Sequence, residues 1–254
     1  MESTAPELED PSLGSPEPAG PAFFAPYRQN SLPDQVYEQV LLQIATGRMR
    51  IGERLPSEPR LSRSLGVSRP IVRMALARLR ADGIIESRQG AGSFVVQLPS
   101  TDFVQAAPSG NVAELLRCFE MRVALEGEAA YLAAERRTMR DLQAIEDCAA
   151  RLGREFAGAT HGADPDVAFH LAIAAATQNH LFVRTMELLR RPLRDGIATA
   201  RRLAQRTVSE RLPIVLAEHE AVLEAIRAQD AETARQAMRN HIERSRKRML
   251  GFRP

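Results

Sequence analysis

The chain has 254 residues, of which 44% are hydrophobic and 26% charged, and its formal net charge is +2. This length allows two domains of ordinary size, and this composition is that of a globular protein rather than a disordered or membrane-embedded one. No apolar run approaches the ~20 residues that span a bilayer, the acidic N-terminus does not predict a secretory signal, and two cysteines are too few for a disulfide framework. We therefore predict a cytoplasmic protein without a membrane association.

Residues 1–30 predict a disordered arm, because they contain six prolines and five acidic residues and lack the apolar pattern of a core. Residues 31–98 carry the opposite charge, with ten arginines against six acidic residues. A positive balance favours binding to a phosphate backbone. It is weak evidence alone, because arginine supplies all the basic residues of this chain except Lys247.

Residues 31–98 also carry the pattern of a winged helix-turn-helix domain. The apolar spacing of Val36, Val40, Leu41 and Ile44 predicts a first helix that ends near Gly47. Two further helices are separated by a tight turn, and the segments 84–85 and 93–96 flank a glycine-rich turn that predicts a β-hairpin, the wing.

The two helices around the turn have clear ends. Ser57 is a good N-cap for a short helix, and Gly66 suits the left-handed residue that stops it. Ser68 caps the second helix, which carries Arg69 and Arg73 outside its apolar stripe. That stripe is predicted to be Ile71, Ala75, Leu76 and Leu79. In such a unit the second helix enters the major groove, where arginines reach base edges or phosphates, so we predict DNA binding.

Residues 99–111 predict a linker, and residues 112–250 predict an all-helical domain. Helix formers dominate the second range, and breakers recur at helix-length intervals. The predicted helices lie near 112–136, 138–157, 165–177, 180–204, 210–228 and 231–249. Pro192 is expected to kink the fourth. The predicted fold class is therefore mainly α, with an N-terminal winged helix-turn-helix and a C-terminal antiparallel helical bundle.

Four polar residues of the bundle form a candidate metal site. Asp166 and His170 lie four residues apart on one helix face, and His219 and His241 lie among apolar residues in two other helices. One carboxylate and three imidazoles would suit a divalent transition metal (Zn, Ni, Fe, Co or Mn) with one position open to water or a ligand. A purely structural role stays open, because a histidine on an apolar helix face is more often a hydrogen-bonded core residue.

Neighbouring polar residues are interpreted as peripheral to that site. Asp164 is predicted to point elsewhere, and His161 and His180 are predicted to face solvent. Asn179 is predicted to be the N-cap of the helix that starts at His180. Cys118 is interpreted, like Cys148, as a small buried hydrophobe.

The motifs of both domains resemble those of a known family. The N-terminal domain is similar to the DNA-binding domain of the GntR family of bacterial transcription regulators, through Leu55-Pro56-Ser57-Glu58, Gly66-Val67-Ser68-Arg69-Pro70, Val72-Arg73, Ala75-Leu76, Leu79, Gly83 and Gly90-Ala91-Gly92-Ser93-Phe94-Val95. The bundle resembles the ligand-binding domain of the FadR-type branch, through Glu120-Met121-Arg122, Leu125-Glu126, Asp166 to Phe169-His170, Asn179, Glu218-His219, Ala225-Ile226, Asp230, Ala234 and His241.

The resemblance implies roles for residues of the winged domain. Arg69 and Arg73 would contact the operator, and Gly90 would lie where the wing approaches the minor groove. The predicted DNA-binding set is Ser57, Arg60, Ser68, Arg69, Arg73 and Gly90. This sequence departs from the family at Pro59, where many members have a DNA-contacting arginine, and at Met74, which replaces a glutamate that would orient Arg73.

The resemblance also implies roles in the bundle. Asp166, His170, His219 and His241 fall on the family's metal ligands. Arg122 falls at a position that often points toward the effector pocket, although a solvated or interhelical salt bridge with Glu126 or another acid is an equal alternative. We assign Arg122 and Asn179 as the effector-binding residues.

These observations predict a homodimeric, ligand-responsive transcription regulator that binds an inverted-repeat operator. The leading hypothesis is a repressor released by a small carboxylate, such as a sugar acid or hydroxy acid, bound at the metal. One alternative is a metal sensor in which the metal itself is the signal. A second is a metalloenzyme with an appended DNA-binding module, which the sequence disfavours because Glu218 and Glu220 are expected to point away from the shared face.

Overall fold

The computed structural model describes residues 31–99, 112–157, 164–190, 194 and 208–251, and these residues are mainly helical. The first part contains α1 (Leu32–Ala45), α2 (Glu58–Leu65), α3 (Arg69–Ala81), β1 (Ile85–Arg88) and β2 (Gly92–Val95). The rest contains α4 (Val112–Arg136), α5 (Met139–Ala157), α6 (Asp164–Ala176), α7 (180–190), α8 (Val208–Arg227) and α9 (Ala231–Met249). The predicted winged helix-turn-helix and helical domain are thus confirmed.

Apolar side chains of α1 and α3 form the core of the winged domain. Tyr37, Leu41 and Ile44 of α1 pack with Leu79 of α3, and all four are fully buried. Gly66 ends α2 with φ of 65°, a left-handed conformation that glycine adopts without strain. The strands β1 and β2 pair in antiparallel register to form the wing.

The arrangement of the bundle brings several helices around one interior volume. Helix α9 packs against both α4 and α8, and α5 packs against α6. A β-carbon at Gly127 of α4 would lie 2.9 Å from the side chain of Arg239 on α9, so these two helices approach closely. One continuous apolar cluster extends from the winged domain into the bundle. The two parts therefore share packed contacts.

The predicted helices agree closely with the observed ones, including 112–136 and 231–249 at both ends. The predicted apolar stripe of α3 was wrong in one detail. Val72 is fully buried, whereas Ile71, which the prediction included, is only partly buried. Both cysteines are buried and unpaired, as predicted. Across the described residues we find no helix with the length and hydrophobicity needed to cross a bilayer.

Some predictions fall on residues that the structure does not describe. These are the arm at 1–30, the linker apart from Pro99, the fourth predicted helix beyond residue 190 apart from residue 194, the effect of Pro192 and the exposure of His161. The division of the chain at these boundaries stays a prediction.

Candidate functional site

The four predicted metal ligands meet inside the bundle. Asp166 and His170 lie one helical turn apart on α6, His219 lies on α8 and His241 on α9, and their relative exposures are 7%, 2%, 2% and 4%. The side-chain nitrogens that the three histidines can offer to a metal all lie within 4.8 Å of one another. Asp166 Oδ1 lies 3.3 Å from His219 Nε2, and Asp166 Oδ2 lies 3.8 Å from His170 Nε2.

The opposite ring nitrogen of each histidine faces a second partner. His219 Nδ1 lies 2.8 Å from the carbonyl oxygen of Val215, which can only accept a hydrogen bond. His241 Nδ1 lies 3.1 Å from a carboxylate oxygen of Glu218. The Nδ1 atoms of both rings therefore act as hydrogen-bond donors, so Nε2 is the atom through which each ring could bind a metal.

His170 is held by Glu126 of α4. Its Nδ1 lies 2.5 Å from Glu126 Oε2, although the two groups are not aligned as in a hydrogen bond. Arg122 Nη2 lies 3.3 Å from His170 Nε2 and Arg122 Nε lies 2.5 Å from Glu126 Oε1. The predicted salt bridge between Arg122 and Glu126 is therefore present, and it lies directly beside the histidines.

The interior of this cluster fits a cation. His219 Nε2 is buried and lacks an aligned hydrogen-bond partner among the described residues, although the Asp166 carboxylate lies beside it. A lone pair on that nitrogen would face the lone pairs of the carboxylate, and two acceptors at this distance require a proton or a metal ion between them. An oxygen with several imidazole nitrogens is a suitable ligand set for a divalent transition metal.

The electrostatics of the cluster favour the protonation states that a metal needs. Burial raises the pKa of the Asp166 carboxyl, but the neighbouring His219 side chain, together with His170 and His241, outweighs this effect and keeps that pKa well below its ordinary value. Burial, reinforced by repulsion from His219, lowers the pKa of His241 to about 3. At neutral pH the carboxylate is thus ionised and the His241 imidazole is neutral, so neither has to lose a proton before it binds a metal.

Glu218 contacts the candidate site, which the sequence prediction missed. It was expected to point away from the shared face, but it is buried and contacts His241, so that expectation was wrong. Arg248 donates two hydrogen bonds of 2.7 Å to its carboxylate oxygens. Burial raises the pKa of Glu218, but bonding to His241 and Arg248 outweighs this effect and brings it to about 2. Glu220 is exposed, as expected.

The remaining predicted residues of the bundle lie apart from the ligands. Asn179 Oδ1 accepts a hydrogen bond of 3.1 Å from the backbone N–H of Leu181, which is the predicted N-cap interaction. Its assignment to the effector stays a prediction. His180 is exposed, and Asp164 forms an ion pair with Arg194, so both point elsewhere as predicted.

The predicted DNA-binding residues all lie on the surface of the winged domain. The exposed set comprises Ser57, Arg60, Ser68, Arg69, Arg73 and Gly90. Arg73 has a partner that the sequence did not reveal: Glu58 Oε2 on α2 lies 3.6 Å from its Nε. Glu58 thus supplies a carboxylate near Arg73 in place of the one missing at Met74.

A winged helix-turn-helix joined to a helical bundle with a buried polar cluster is the architecture of a DNA-binding regulator. Residues 32–95 match the family of bacterial regulatory proteins called the gntR family, and residues 117–244 match the FCD domain. The chain is 33% identical over 205 residues to the HTH-type transcriptional regulator LutR of Bacillus subtilis (strain 168), covering 78% of this chain and 92% of that protein. The chain therefore belongs to the GntR family of transcription regulators, in its FadR-type branch.

Two other relatives support the same assignment. The Uxu operon transcriptional regulator of Escherichia coli (strain K12) is 31% identical over 206 residues, covering 79% of this chain and 80% of that protein. The Glc operon transcriptional activator of the same organism is 31% identical over 224 residues, covering 84% of this chain and 87% of that protein. Because these relatives are regulators, the chain is a transcription regulator and not an enzyme.

Proposed function

We propose that the chain is a homodimeric repressor whose bundle holds a divalent transition metal between Asp166, His170, His219 and His241. The observation that carries this proposal is the buried Nε2 of His219, which faces the Asp166 carboxylate at 3.3 Å while its Nδ1 is bonded to Val215. A metal bound here would supply a positive charge and a coordination position open to a small carboxylate.

Arg122 is the proposed second contact of that carboxylate. Its guanidinium is 2% exposed and lies 3.3 Å from His170 Nε2, so it borders the position where the ligand atoms meet. A guanidinium holds a carboxylate through two parallel hydrogen bonds, which gives both affinity and orientation. The effector would then be a sugar acid or hydroxy acid, and Asn179 would contribute from the start of α7.

In the proposed dimer each winged domain reads one half of an inverted repeat. Arg69 and Arg73 would lie in the major groove, and Gly90 would approach the minor groove. Effector binding would favour a domain arrangement with lower operator affinity, since a ligand with equal affinity for both arrangements shifts neither.

Thermal unfolding tests the effector proposal. We expect a member of a panel of sugar acids, hydroxy acids and dicarboxylates to raise the unfolding midpoint of the zinc-loaded protein, because a ligand of the folded state stabilises it by mass action. The shift should disappear in Asp166→Ala. If metal alone shifts the unfolding midpoint and changes operator affinity, and none of the acids shifts the midpoint further, the protein is instead a metal sensor.

Arg73→Ala tests the DNA-binding surface. We expect operator binding to weaken by about 1–3 kcal/mol if the guanidinium reads a base edge. The measurement is a titration with a DNA fragment that the protein itself selects from a random library. Arg190→Ala on α7 removes the same charge far along the chain and is the control. Equal affinity of Arg73→Ala and the wild type would exclude Arg73 from the interface.

A further inference from the structure

A buried polar cluster joins the winged domain to the bundle at Asp82, the residue that caps the C-terminal end of α3. Its side chain is 0% exposed. Tyr37 donates a hydrogen bond of 2.7 Å to Asp82 Oδ2. From the bundle, Arg117 Nη2 lies 3.4 Å from Oδ2 and Arg246 Nη1 lies 3.2 Å from Oδ1. One carboxylate at the end of the recognition helix thus binds both domains, and these four residues are called the Asp82 cluster.

Arg246 belongs to α9, which carries the proposed ligand His241, and Arg117 belongs to α4, which carries Arg122 and Glu126 beside the histidines. Arg117 precedes Arg122 by five residues on α4, and Arg246 follows His241 by five residues on α9. Five residues of α-helix span about 7.5 Å, so each helix connects the site to Asp82 along less than two turns. A displacement of either helix at the histidines must therefore also move an arginine bound to the end of α3.

Hydrogen bonds also connect the end of α9 to the histidine site. Arg248 holds both oxygens of Glu218, and Glu218 in turn contacts His241. Arg246, on the same turn of the helix, faces the other way and holds Asp82. A ligand that moves His241 toward His170 and His219 would also move the next turn of α9, which carries Arg246.

The contact between the two domains at Asp82 also has space in which side chains can change position. A cavity of about 250 Å³ borders Asp82 and Arg246 and is lined further by Ala81, Gly83, Gln97, Lys247 and Leu250. A second polar contact joins the domains where Glu38 of α1 accepts a hydrogen bond of 3.1 Å from the N–H of Ala113 at the start of α4. Polar contacts next to a cavity can exchange partners at lower cost than a close-packed apolar interface, whose packing tolerates little displacement.

We propose that the Asp82 cluster is the connection through which occupancy of the buried histidine site repositions the recognition helix α3. This inference rests on the proposed metal site. Because coupling between two sites is reciprocal, operator binding at α3 would change the affinity of the histidine site by the same factor.

Hydrogen exchange of the full-length protein with zinc, compared with the protein stripped by EDTA, tests the connection. In the wild type we expect zinc to slow exchange both around His241 and at residues 79–84, the end of α3 and the following turn. In Arg246→Gln we expect full zinc stoichiometry and slowing around His241, with loss of the effect at 79–84. Glu243→Gln removes an exposed charge on the same helix, outside the lining of the cavity, and should behave as the wild type.

Slowed exchange at 79–84 in Arg246→Gln, equal to that in the wild type, would overturn the proposal. So would a wild-type protein that binds zinc without any change at 79–84, and this outcome would leave the proposed metal site intact. Absence of zinc binding would overturn the metal site and this connection together, which separates the two failures.

Discussion

His219→Ala is expected to abolish stoichiometric metal binding. Its Nε2 is the nitrogen that faces the Asp166 carboxylate, and the contact of its Nδ1 with the carbonyl of Val215 holds the ring in that orientation. Without His219, α8, one of the three helices that carry the proposed ligands, contributes none. The measurement is the metal content of the purified protein after equilibration with zinc and dialysis, determined by elemental analysis.

Two further variants serve as comparisons, one with a smaller expected loss of metal affinity and one with no expected loss. Glu218→Ala removes the carboxylate that orients His241 and should weaken metal affinity by roughly 10–100-fold without abolishing it, as is typical for groups that hold a metal ligand in place. His180→Ala removes an exposed histidine outside the cluster and should leave the metal content unchanged. One metal per chain in His219→Ala would show that the ligand set is wrong.

The fold and the ligand positions could be predicted from sequence because they depend on local rules. Asp166 and His170 share a face through the four-residue spacing of any helix, and the helix ends follow from capping residues such as Ser57 and Gly66. The convergence of α6, α8 and α9 follows from the requirement of a bundle to bury the apolar faces on which His219 and His241 lie.

The partners of those ligands could not be predicted, because they depend on how helices pack across the interior. Glu218 and His219 are adjacent on α8, and adjacent side chains point about 100° apart around a helix axis. Spacing along α8 therefore places the two on different faces. His241 comes from α9 and lies where Glu218 can reach its Nδ1. Asp82 and Arg246 are likewise 164 residues apart in sequence, and only the contact between domains joins them.

The same limit applies on the DNA-binding surface. The resemblance to the GntR family implies that Arg73 lacks a carboxylate on its own helix, where Met74 stands. It does not reveal that Glu58, on α2, lies 3.6 Å from Arg73. This pair is solvent-exposed, so it orients the guanidinium more than it stabilises the fold.

Arg122→Met is expected to destabilise the metal-free protein by about 3–5 kcal/mol, because it leaves a buried carboxylate without its charged partner. Arg122 and Glu126 are each 2% exposed, and attraction from Arg122 is the main effect that overcomes burial and lowers the pKa of Glu126 to about 2. The pair lies where a charge cannot be screened by water. Chemical denaturation in the presence of EDTA measures the free energy of unfolding.

The double variant Arg122→Met, Glu126→Leu separates the ion pair from the proposed effector role of Arg122. Because it removes both charges, it should recover most of the lost stability, whereas it should still fail to respond to any carboxylate. Arg190→Met breaks the exposed pair with Glu187 and should change stability by less than about 1 kcal/mol. If the double variant kept a carboxylate-induced rise in its unfolding midpoint, Arg122 would be a structural residue, and the effector would have to be held by the metal and other groups.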